Sequence, residues 1–329
     1  MSKMQTQLVA GVALLAIGVI IGHFLVPANF FPAGSKFTDI FETGNTYTFI
    51  NPLLFCSDQE ISNFTNATPQ KIEREVTEYI EKQKSEGGLA DASVYYKDLN
   101  GGPWVLINSS MRTVPASLLK VPVAISIYKQ AEKDPAFLKK KVTRTDTTDK
   151  NGTQYFYPAA IAKPNTPYTV EQLTALTLEQ SDNNALYLLG TTLSDEQFAE
   201  SYADLGIEIP DEPQPRYTID VKTYASFFRV LFNASYLNQE NSEHVLSLLA
   251  QSNFHQGLEA GVPNGTVVAH KFGEYTVSST DVRLNDCGII YRPHDPYILC
   301  VLTAGNDFKA LAKNIGGISE IVYAILKNQ

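Results

Sequence analysis

The stretch PASLLKVPVAISIYKQAEK, residues 115–133, constrains the fold most, because it is apolar on every side from Leu118 to Ile127. A helix that is apolar all round is buried at the centre of its domain, so the other elements must wrap around it. Ser117 stands at its N-terminal end and Lys120 one turn later on the same side, since positions i and i+3 are neighbours on a helix. An ammonium inside such an element is costly and requires a polar cluster around it. Desolvation lowers the lysine pKa and makes a neutral amine available as a base. The helix N-terminus adds backbone N–H groups where an anion develops. Together these describe an activated serine nucleophile. An S-x-x-K spacing arises by chance about once in a chain this long, and Ser126 and Lys129 repeat it nine residues later. There the serine falls mid-helix in the core and the lysine near the C-terminal turn, where a cation is simply favoured. A plain helix N-cap is the alternative reading of Ser117.

A second apolar run, Leu8 to Val26, has 19 positions with no Asp, Glu, Lys or Arg, long enough to span a bilayer. A cleaved signal peptide is the competing reading, but no good A-x-A site comes after it. Lys3 and the amino terminus are the only positive charges before Lys36, so residues 1–7 are expected inside and the rest outside the cell membrane. Residues 27–67 read as a tether whose second half, Tyr47 to Cys56, is apolar enough to lie on the domain beyond it. The formal charge of −9 argues against a nucleic-acid partner. Three cysteines without C-x-x-C spacing exclude a disulfide scaffold and a thiolate metal cluster.

From residue 68 to 329 the pattern is that of one domain. Thr68 and Pro69 open a helix with Ile72, Val76, Tyr79 and Ile80 on one face, stopped at Gly87 and Gly88. Residues 92–99 and 103–108 flank Asn100, Gly101 and Gly102 as a β-hairpin. Helices are expected near 117–132, 169–179, 182–191, 195–204, 220–233 and 241–252. Strands come next, near 266–275, 284–291 and 297–303, then a last helix over 307–327. Two strands first, three last and helices between indicate an α+β domain with a five-stranded antiparallel sheet, helices on both faces and a helical subdomain.

Two further motifs stand on this frame. Ser181, Asp182 and Asn183 interrupt a helical pattern between Leu178 and Ala185; taken alone, the first two cap the next helix. Lys271, Phe272 and Gly273 lie on the strand VVAHKFGEY, where an edge lysine is ordinary protection against aggregation. In this order the three motifs resemble those of the class A serine β-lactamases and penicillin-binding proteins: S-x-x-K, S-D-N and K-T-G. The resemblance covers about residues 68–329 and includes element order. It implies that Ser117 is acylated by a β-lactam or a peptidoglycan-like amide, with Lys120 taking its proton. It further implies that Ser181 relays a proton to the leaving nitrogen, Asn183 holds the substrate amide and Lys271 attracts its carboxylate. The backbone N–H groups of Ser117 and Glu274 are the implied oxyanion hole.

Two departures bear on the fate of the acylated serine. Phe272 replaces the family's hydroxyl, and Arg283 is the residue expected to compensate. No Asp or Glu between Asn184 and His270 has an Asn four residues later, so the family's deacylating pair is missing. A proline-rich loop with Asp211 and Glu212 stands in its place, and Asp220 N-caps the next helix. The expectation is a membrane-anchored, extracytoplasmic hydrolase of the class A β-lactamase type. A slowly deacylating D,D-peptidase-like protein and an idle cell-wall-binding domain are the alternatives. No cofactor, metal or obligate protein partner is expected: His23, His244, His255, His270 and His294 form no H-x-H or H-x-x-x-H pair, and the G-x-S-x-G elbow is absent. Cys287 and Cys300 are expected to face each other across a hairpin, as a bridge or as buried thiols.

Overall fold

The computed structural model describes residues 47–51, 67–207, 218–293 and 295–327. Helix α1 (Ala67–Ser85) buries Ile72, Val76 and Ile80, which recur on one face. The hairpin of β1 (Asp91–Asp98) and β2 (Trp104–Ile107) turns at Gly101, where φ is +84°, a conformation open to glycine. There the Asp98 carboxylate accepts hydrogen bonds from the N–H groups of Asn100 (2.7 Å) and Gly102 (3.2 Å). After the short β3 (Arg112–Thr113), a 3-10 turn over Ala116–Leu119 runs directly into α2 (Lys120–Lys133). Ser117 therefore lies in the 3-10 turn, and the α-helix proper starts at Lys120 rather than at 117. As the apolar pattern requires, α2 is buried on nearly every side, Val121, Ala124, Ile125 and Ile127 among them.

The helical layer continues with β4 (Lys141–Thr143), β5 (Pro167–Thr169), α3 (Val170–Glu179), α4 (Asn183–Gly190), α5 (Asp195–Asp204), β6 (Ile219–Asp220), α6 (Val221–Phe232) and α7 (Gln239–Leu249). Thr169 and Ser194 each close a capping box, and Asp220 caps α6 by accepting from Thr223 N at 2.9 Å. Each satisfies N–H groups that a helix start leaves open. β3–β6 and β4–β5 pair antiparallel. These strands leave no mark in the sequence, because two or three residues are too few to show alternation.

Three long strands then complete the sheet: β7 (Val267–Ser278), β8 (Asp281–Tyr291) and β9 (Tyr297–Gly305), with α8 (Phe308–Lys327) after them. The sheet order is β2-β1-β9-β8-β7, antiparallel throughout. One core lies between the sheet and α1 and α8; the other joins the opposite face to α2 and its neighbours. β7 is one of the two edge strands, and it borders the 3-10 turn that carries Ser117. Cys287 and Cys300 are direct cross-strand partners and are joined as a disulfide.

Tyr47–Asn51 lies on the domain, as its apolar character suggests. The Glu243 carboxylate accepts from the N–H groups of Thr48, Phe49 (2.7 Å) and Ile50 (2.9 Å), and Asn51 N donates to Phe232 O. Cys56, the apolar run 8–26 and the acidic loop 208–217 fall outside the described residues. Among the described residues no helix is long and apolar enough to cross a membrane. Glu243→Ala leaves three N–H groups without their acceptor and is expected to cost about 1–3 kcal/mol of stability. Limited proteolysis should then cut near residues 47–51 faster than in the wild type; an unchanged pattern would remove Glu243 as the anchor.

Candidate active site

Lys120 is fully buried, and its Nζ meets four oxygens. These are Ser117 Oγ at 3.0 Å, Ser181 O at 2.6 Å, Ser181 Oγ at 3.1 Å and Asn183 Oδ1 at 2.7 Å. Burial is the main cause that drives the Lys120 pKa well below its ordinary value; Lys271 lowers it further, and Asp182 and Glu274 partly offset this. The partner set suits a neutral amine. Ser181 O and Asn183 Oδ1 are pure acceptors for its two protons, and a serine hydroxyl is the kind of group that donates to its lone pair. Ser117 is half-buried at the mouth of this cluster and lines an open cleft of about 480 Å³ with Ala116, Gln154, Asn183, Glu274 and Phe308. Ser126 hydrogen-bonds Pro122 O in its own helix, and Lys129 reaches Tyr236 O and Glu132, so the second S-x-x-K pair joins no site.

The S-D-N segment is held from below. Asp182, fully buried, caps α4 by accepting from Asn184 N and Ala185 N, and accepts as well from Asn151 Nδ2 (2.7 Å) and Ala162 N (2.7 Å). Ser181 itself is no cap. It takes φ of +57°, and Ala116, just before the nucleophile, takes +47°. Left-handed backbone at a non-glycine residue costs about 1–3 kcal/mol and collects at functional sites. Here the two strained residues aim two hydroxyls at one amine.

Asn151, Gln154 and Arg144 were not legible in the sequence. Asn151 Oδ1 accepts from Asn183 N (2.7 Å), and buried Arg144 donates to Thr148 O and Asn184 Oδ1, both at 2.6 Å. They fix a segment whose Asp, Asn and Thr side chains bond locally to backbone, which leaves no periodic signal.

On β7, a Cβ at Gly273 would stand 2.7 Å from Pro115 O and 3.0 Å from Leu118 N, so only glycine lets the strand approach the Ser117 turn this closely. Lys271 is fully buried and donates to Phe272 O at 3.0 Å; burial lowers its pKa to about 7, with Asp286 and Glu274 opposing. The Phe272 side chain stacks on Phe254 (centroids 4.2 Å apart), on the other sheet face. His270 shares that face, with Nδ1 2.8 Å from Asp286 Oδ1. Glu274 turns its carboxylate to Tyr155 N (2.7 Å) and Phe156 N (3.1 Å), and burial pushes its pKa up. Arg283 does not join the site. Asp281 and Arg283 share a strand face at spacing i, i+2, and the guanidinium forks onto that carboxylate and lines a separate cleft near Asp91 and Gly305.

The fold is that of the serine β-lactamase and penicillin-binding superfamily, with the serine and lysine of S-x-x-K brought within hydrogen-bond distance. The model of the beta-lactamase enzyme family matches residues 71–326, and the chain belongs to that family. Among solved structures it is similar to PBP-A, including a mutant captured as an acyl-enzyme complex with penicillin G, at 20% identity and TM-score 0.65, over 79% of this chain and 97% of that one. It is similar also to a class A β-lactamase from Mycobacterium abscessus (21% identity, TM-score 0.64, 78% and 99% covered). A third is the TLA-1 extended-spectrum β-lactamase (17%, 0.65, 77% and 99%). At these identities the likeness is one of fold. No curated protein matches the sequence.

Unfolded, Lys271 keeps its proton to about pH 10; folded, it releases it near 7. Between those values the unfolded chain binds more protons, so stability rises with pH. Urea melts from pH 7 to 9 are expected to show that rise, to which Lys120 contributes with the same sign, and Lys271→Met to make it shallower; an identical slope in the variant would contradict the assignment. Gly273→Ala is expected to lower acylation of Ser117 at least tenfold, read as the rate of covalent adduct formation by mass spectrometry.

Proposed function

We propose that the chain is a membrane-anchored, extracytoplasmic serine hydrolase of the class A β-lactamase type, acylated at Ser117. The observation that carries the reading is the buried Lys120 amine 3.0 Å from Ser117 Oγ. As the neutral base, Lys120 takes the Ser117 proton while Oγ attacks the substrate carbonyl. Negative charge on the carbonyl oxygen falls to the N–H groups of Ser117 and Glu274. Ser181, 3.1 Å from the same amine, returns the proton to the leaving nitrogen, and the acyl group stays on Ser117 as an ester. Hydrolysis of that ester frees the product. The anchor rests on the apolar run at 8–26, which would tether the domain on the outer side of the membrane.

A second reading, a penicillin-binding protein with D,D-peptidase-like chemistry on peptidoglycan peptides, is favoured by one specific observation. No Asp or Glu between Asn184 and His270 has an Asn four residues later, and acylation needs no second base whereas fast deacylation does. The intact serine–lysine cluster weighs against an idle binding domain.

A fluorescent penicillin is expected to label the protein covalently. Ser117→Ala should abolish the label and Ser126→Ala retain it; equal labelling of all three would sink the nucleophile assignment. Rapid loss of the label with turnover of a chromogenic cephalosporin would mark a β-lactamase, and a persistent adduct the second reading.

A further inference from the structure

The cleft beside Ser117 is equipped to repel a carboxylate. Among its described lining residues Glu274 is the one ionisable carboxylate or cation, the others being neutral side chains such as Thr153, Gln154, Asn183 and Thr276. Its carboxylate is fixed in place by two backbone N–H groups, Tyr155 and Phe156, so it cannot swing away from an approaching anion. The lysines close enough to act on it, Lys120 and Lys271, are both driven toward the neutral amine by burial and offset it only in part. Arg283 is neutralised by Asp281 in another cleft. Lys271 Nζ is buried and spent on Phe272 O, with the Phe272 ring 4.1 Å away. The hydroxyl position of the third motif is an aromatic ring, packed on Phe254 and Phe156, that has no hydrogen bond to offer a carboxylate.

We infer that Glu274 is a specificity-determining residue, selecting acyl donors that are uncharged or cationic where they lie against β7 and disfavouring those with a free carboxylate there. This rests on the proposed acylation of Ser117 and deepens it by naming the substrate class: amides whose end is blocked, or which carry an ammonium group. A fixed carboxylate and a substrate carboxylate in one partly desolvated cleft repel at a range of several ångströms, while a cation there is stabilised. The acylation chemistry is unchanged, since the N–H of residue 274 is independent of its side chain.

The test compares benzylpenicillin with its methyl ester on the full chain, wild type and Glu274→Gln, by the rate of adduct formation at Ser117. The ratio of anion to ester rates is expected to rise about tenfold in Glu274→Gln. If Glu274 only pins Tyr155 and Phe156, both rates fall together and the ratio stays as it was, which overturns the inference. Should neither probe acylate Ser117, the acylation reading fails by itself. The same ratio is then taken from equilibrium binding of the two probes to Ser117→Ala, with and without Glu274→Gln, where no rise again overturns the inference.

Discussion

A lysine ammonium cut off from water costs several kcal/mol unless protein atoms replace its solvent, and that requirement at Lys120 organises the molecule. α2 delivers the amine, the residues before α4 deliver Ser181 and Asn183, and the 3-10 turn delivers Ser117. Three elements distant in sequence converge on one nitrogen. The convergence explains features that are unfavourable one by one. Two of the five non-glycine residues with positive φ among the described residues, Ala116 and Ser181, lie at this site. Asp182 is fully buried yet stable, because four donors satisfy its carboxylate while it caps α4 and ties it to Asn151 and Ala162. Strain and burial are tolerated where the surrounding packing over-determines them.

The second constraint is the approach of β7 to the Ser117 turn. The contact at Gly273 leaves no room for a Cβ, and it brings the strand's next residue into the cleft. Substituting a charged side chain at 274 therefore acts on the cleft without altering the strand. The same strand buries Lys271 behind Phe272, so the third motif supplies a charge near neutrality at most partly expressed. In electrostatic terms the cleft sets the Glu274 carboxylate at its rim while the lysine of the third motif lies buried behind it.

Much of this was legible in the sequence, and the misses have physical causes. The burial of α2 came from its lack of a polar face, and with it the need for a polar cluster at Lys120. Element order came from apolar period and caps. The segment from Arg144 to Gln154 was silent, because its structure is made by side-chain-to-backbone bonds rather than by a repeating apolar face. Arg283 was expected in the site, yet Asp281 two residues earlier lies on the same strand face and captures it. The strand was expected from 284 and begins at Asp281, so the pairing came to light only with the structure. The Glu274 side chain was overlooked because the resemblance gives position 274 a backbone role, and the family pattern says nothing of a carboxylate there.

The proposed chemistry stands or falls on one claim, that burial lowers the Lys120 pKa far enough for its amine to act as the base poised on Ser117 Oγ. Nitrogen NMR on protein labelled with 15N lysine, assigned through Lys120→Arg, reads the Nζ protonation state directly. A Lys120 resonance is predicted that titrates well below the ordinary lysine value near pH 10 and that shifts when Ser117 is replaced by alanine. A Lys120 that stays an ammonium through pH 10 and ignores that substitution would contradict it.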